Sequence, residues 1–80
     1  LGYSREEMVE GQGQFSIRGG ILDIYVPTSK NPVRIEFFDN EVDSLREFDI
    51  ISQRSIENIE EVIIIPCSEM RLPQHTYKNA

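Results

Sequence analysis

The sequence predicts a β-dominated α+β domain, built on an antiparallel sheet with a β-hairpin at residues 33-48 and at most one or two short helices. Three observations carry this. Apolar residues recur at alternate positions in two runs, Phe15 to Val26 and Val33 to Phe38, and period two is the spacing of a strand with one buried face. An Asp39-Asn40 pair separates two extended runs, and Glu61-Val62-Ile63-Ile64-Ile65 is rich in the β-branched residues that suit a pleated surface.

Residues 1 to 10 admit two forms. Ser4-Arg5-Glu6-Glu7 matches a capping box, which predicts one helical turn, while a short strand fits equally well. Gly11-Gln12-Gly13 breaks the chain before a long extended run. Within that run the apolar positions are odd at Phe15 and Ile17 but even at Leu22, Ile24 and Val26. The change of parity calls for a β-bulge or tight bend at Gly19-Gly20, with Arg18 beside it on the face opposite Phe15 and Ile17.

Pro27 to Pro32 reads as a loop. The hairpin follows, with Asn40 suited to the left-handed conformation its turn needs. Val33, Ile35 and Phe37 form its buried face, so Arg34, Glu36 and Phe38 point the other way. A two-residue turn sets Phe37 opposite Val42. It would also set Ile35 opposite Ser44 although the next apolar residue is Leu45, so a second irregularity belongs there. Asp49 to Glu60 reads as a turn-rich connection. The unbroken apolar run of the last strand predicts burial on both faces, ended by Pro66. The whole, 1-80, is expected to be one domain and an excised piece of a larger protein, with 70-80 a flexible tail.

Composition narrows the function. Fourteen acidic against eight basic side chains give a net charge of −6, which repels a polyanion and argues against direct DNA or RNA binding. The lone Arg18-Gly19-Gly20 is not a repeat of the RNA-binding type. No apolar run approaches the ~20 residues a membrane helix requires. Cys67 has no cysteine partner, in keeping with a reducing cytoplasm. No Gly-rich phosphate cradle is present, His75 stands alone, and Asp39, Glu41 and Asp43 lack the spacing of a calcium loop. The expectation is a non-catalytic domain with no cofactor and no metal.

What remains is Arg18, Arg34 and Phe38, which alternation places away from the core. If the two long strands are neighbours, these three form one exposed patch, with Glu36 holding the arginines in place. Arginine and aromatic side chains commonly dominate protein interfaces. The plainer alternative is that each arginine pairs with a cross-strand carboxylate, Asp23, Glu36 or Asp43, while Phe38 covers the open side of the sheet.

Phe15-Ser16-Ile17-Arg18-Gly19-Gly20-Ile21-Leu22-Asp23-Ile24-Tyr25, the run Pro32 to Arg46, Phe48-Asp49 and Gln53-Arg54-Ser55 closely resemble the UvrB-like module of the bacterial transcription-repair coupling factor (Mfd) family. The related module of the excision-repair helicase UvrB is the nearest alternative. Gly20, Phe38 and Gln53-Arg54-Ser55 favour the coupling factors. The resemblance implies a module that binds UvrA in transcription-coupled nucleotide excision repair, with Arg18, Arg34 and Phe38 at the family's contact positions. It also implies that RNA polymerase and DNA are engaged only through other domains of an ATP-dependent translocase, and that another domain masks this surface until the motor engages. An accessory DNA-binding domain and a structural spacer are the rival expectations.

Overall fold

The structure, a computed structural model, describes residues 2–65 and 75–78. Its regular elements among those residues are strands: β1 Ser4–Arg5, β2 Gln14–Arg18, β3 Ile21–Ile24, β4 Val33–Phe38, β5 Glu41–Phe48, β6 Ser55–Asn58, β7 Glu61–Ile64 and β8 His75–Lys78. The first six form one sheet in sequence order, and β7 and β8 form a second, two-stranded sheet. Neighbours are antiparallel except for β1, which runs parallel to β2.

The capping-box reading gives way to β1 because β2 competes for the same groups. Ser4 N donates to Gly13 O and Glu6 N to Phe15 O, so amides that a helix start would leave open are already paired. Gly19-Gly20 makes a tight reversal between two strands rather than a bulge in one. Arg18 pairs with Ile21, Ile17 with Leu22 and Phe15 with Ile24. An odd residue therefore shares its face with an even one, which accounts for the parity change. Gly19 has φ +57°, in the left-handed region. Gly20 accepts from Phe37 N at 2.8 Å, and a Cβ there would lie 3.0 Å from Phe37 O.

The 33-48 hairpin is present with its expected turn, Asp39 at φ 53° and Asn40 at φ 68°, the paired positive values of a type I′ turn. Phe37 faces Val42. One register step is then lost, so that Glu36 faces Ser44 and Ile35 faces Leu45. Asp43 is the extra residue, and the slip keeps Leu45 on the core side.

The connection after residue 48 holds more regular structure than the sequence suggested. Asp49 Oδ2 accepts from Ile51 N and Ser52 N, closing a turn, and β6 then pairs with β5. In β7, Val62 and Ile64 are buried while Glu61 and Ile63 are exposed. The expectation of burial on both faces is thus overturned: among the described residues β7 has a β-strand neighbour only in β8, and it lays one face on the large sheet. Residues 75–78, assigned in sequence to the tail, form β8. The remainder of that tail, Pro66 and Cys67 lie outside the described residues.

Ile24, Val33, Ile35 and Leu45 of the large sheet and Val26, just past β3, meet Val62 and Ile64 to form the core, with Phe15, Leu22, Phe37, Val42 and Tyr77 at its margins. Ile35 and Leu45 are cross-strand partners and fully buried, each contributing about 1.5–3 kcal/mol by leaving water. On the opposite face Val9 and Phe48 are also fully buried, apart from the main cluster. The segment between β1 and β2 is tied down there. Glu7 O accepts from Ser16 Oγ at 3.0 Å, and Gln53 Nε2 donates to Val9 O at 3.4 Å and Ile50 O at 2.9 Å.

Candidate protein-interaction surface

Paired residues on neighbouring strands project to the same side, so the register defines the face opposite the core. One row runs Ser16, Asp23, Arg34, Arg46, Asn58, and the next runs Arg18, Ile21, Glu36, Ser44, with Phe38 and Glu41 beyond. Arg18, Arg34, Glu36 and Phe38 therefore share one face. With strands ~4.8 Å apart and ~3.3 Å of rise per residue, Arg18 sits ~12 Å from both Arg34 and Phe38 at Cα.

Their environments differ sharply. Arg34 is the correction to the expected exposed patch: its side chain is 13% exposed and its partner Asp23 only 4%. Arg34 Nε donates to Asp23 Oδ1 at 2.7 Å and Nη2 to Oδ2 at 2.9 Å, a bidentate pair. Its guanidinium lies 4.4 Å from the centroid of the Phe48 ring, and Nη1 donates to Gln53 O at 3.4 Å. The hydrogen bond to Asp23 raises the Arg34 pKa further, opposed by burial and reinforced by the charges of Asp23 and Glu36. For Arg34 the plainer alternative, pairing with Asp23, is the one observed.

Glu36 holds neither Arg18 nor Arg34 by an ion pair; it accepts from Arg46 Nη2 at 3.0 Å. The reason is visible in the register, which sets Arg34 directly opposite Arg46. Two like charges abreast are destabilising unless each is neutralised, and Asp23 and Glu36 divide that task.

Arg18 and Phe38 are presented to solvent. Arg18 is exposed and makes no ion pair among the described residues. Phe38, beside the hairpin turn, is 74% exposed. Arg18 and Arg34 line one depression of about 250 Å³ with Glu7, Met8, Asp23 and Gln53. Sequence reasoning did not place Glu7, Met8 and Gln53 there, because they arrive from outside the long strands. Among the described residues no three His, Cys, Asp or Glu side chains gather to hold a metal, Asp39, Glu41 and Asp43 included.

The strand-built platform has one core face and one face that carries an exposed guanidinium and a bare aromatic ring, and its family is one of protein-interaction modules. The chain belongs to the UvrB interaction domain family, whose model matches residues 1–70. It is 57% identical over 70 residues to a transcription-repair-coupling factor of Bacillus subtilis, covering 88% of this chain and 6% of that protein. It is 58% identical over 69 residues to one of Staphylococcus haemolyticus, 86% of this chain and 6% of the relative. With one of Staphylococcus aureus it shares 47% over 79 residues, 99% of this chain and 7% of the relative. The chain thus spans only a small part of the relatives' length. No helix among the described residues is long and apolar enough to cross a membrane.

Proposed function

We propose that this chain docks UvrA and, as part of a bacterial cytoplasmic coupling factor, brings it to stalled RNA polymerase in transcription-coupled repair. The observation that carries the reading is the free Arg18 and exposed Phe38 on one face of a sheet in a UvrB interaction domain. The relatives' name, transcription-repair-coupling factor, favours this parent over the UvrB helicase. The domain supplies no chemistry of its own in this reading. Motor and polymerase contacts belong to other parts of the parent.

Arg18 gives a planar, charge-assisted grip on a carboxylate or carbonyl of UvrA, and Phe38 an apolar anchor. Arg34 and Glu36 act beneath them: Arg34 fastens Asp23 and the turn around Gln53, and Glu36 steadies Arg46. A titration of purified UvrA against the chain tests this by calorimetry. Arg18→Glu and Phe38→Ala are each expected to weaken binding at least tenfold without shifting the melting temperature. Wild-type affinity in both variants would reject the reading.

A further inference from the structure

Among the described residues, the large sheet has an unfinished edge. Gly13 O and Phe15 O accept from Ser4 N and Glu6 N of the β1 segment, whereas Gln14 O accepts from Tyr25 N on the other side. Backbone groups alternate sides along a strand, so the N–H and C=O of Ile17 point toward β1. The parallel ladder ends at Arg5 opposite Phe15. Beyond that the chain crosses to the polar face, where Glu7 O takes the Ser16 hydroxyl. Among the described residues no strand lies beside Ile17 on that side, and its side chain is exposed.

Two depressions meet at this residue. One, about 500 Å³, is apolar and opens on the core side, between Tyr3, Phe15, Leu22, Ile64 and Tyr77. The other, about 630 Å³, is lined by Arg5, Glu6, Glu7, Met8, Ile17 and Arg18. Arg5 and Arg18 make no ion pair among the described residues, while the Glu6 carboxylate is engaged by Ser4 Oγ at 2.7 Å.

We propose that β2 beyond Phe15 is a strand-addition site: an extended segment of the protein partner pairs with the backbone of Ile17 and continues the sheet where β1 leaves it. The residue set beside Ile17 projects to the same side as Ile17, into the apolar groove, and its neighbour projects beside Arg18 and Met8. The matching segment therefore alternates apolar and acidic side chains. This site is continuous with the surface around Arg18 and rests on the reading that UvrA is the partner.

The probe is purified UvrA, and the readout is amide hydrogen exchange of the labelled chain, resolved by residue. The Ile17 amide is expected to exchange at least tenfold more slowly in the complex than in the free chain. Ile17→Pro removes the outward N–H at an edge position that tolerates proline and is expected to weaken UvrA binding at least tenfold, while Ile17→Val binds as wild type. If UvrA binds but the Ile17 amide exchanges unchanged, or Ile17→Pro folds and binds normally, strand addition is wrong and the docking reading stands. If wild-type chain does not bind UvrA, both fall. Should Ile17→Pro fail to fold, the exchange measurement on wild type decides alone.

Discussion

Arg34→Ala is expected to be a stability variant before it is a binding variant. The substitution strips Asp23 of both charge-assisted hydrogen bonds and leaves a carboxylate 4% exposed to water with no cation beside it. It also uncovers the Phe48 ring on which the guanidinium rests. Removing one member of a buried pair costs about 3–5 kcal/mol, against a total stability of roughly 4–12 kcal/mol for a domain of this size. The chain has no tryptophan, so urea unfolding followed by far-ultraviolet circular dichroism is the suitable assay. With a slope of about 1 kcal/mol/M, the midpoint drops by ~3–5 M or the transition disappears. Arg18→Ala, exposed and without an ion pair among the described residues, shifts it by less than ~0.5 M. The double variant Asp23→Asn, Arg34→Met is milder than the sum of its parts, because no orphaned charge remains. An Arg34→Ala midpoint within ~1 M of wild type, or strict additivity in the double variant, would refute the argument.

Two further outcomes follow from the turns. Gly20→Ala brings a Cβ to 3.0 Å from Phe37 O, a backbone atom, and is expected to cost about 1–3 kcal/mol, seen as a lower melting temperature. Asp49 is held below the usual aspartate range, chiefly by hydrogen bonds from Ser52, first its backbone N–H and then its side chain, and more weakly by the amide of Ile51. A lowered carboxylate adds stability that is complete above its unfolded pKa and lost as pH falls through the folded one. The melting-temperature advantage of wild type over Asp49→Asn is therefore present at pH 7 and shrinks below about pH 4; a gap that persists unchanged to pH 2 contradicts this.

Features set by adjacent residues were legible in the sequence. The Asp39-Asn40 turn, the Phe37 to Val42 pairing and the slip at Asp43 all follow from side-chain alternation within one hairpin. β1 was only one of two readings of residues 1 to 10 and β6 was not legible, because strands of two and four residues have no period to detect and persist through their neighbours' hydrogen bonds. The face shared by Arg18, Arg34, Glu36 and Phe38 was readable from parity. The depth at which Arg34 lies was not. It depends on Asp23, eleven positions earlier, and on Gln53, nineteen later, separations that no local pattern encodes. Met8-Val9 offered one faint sign, an apolar pair between Glu7 and Glu10, of the segment that closes over this side.

The burial of Val9 and Phe48 beneath the polar face has a kinetic consequence for the proposed docking. The Arg34–Asp23 pair, its contact with the Phe48 ring and the Gln53 hydrogen bonds to Val9 O and Ile50 O hold the backbone of this face, so the proposed docking requires no loop among the described residues to be ordered first. On this chain's side of the contact, the conformational entropy lost on capture is then mainly that of a few side-chain rotors, about 0.5–1.5 kcal/mol for each. Encounter should then be a single bimolecular step whose rate scales linearly with partner concentration, and differences in affinity among variants should appear as differences in residence time.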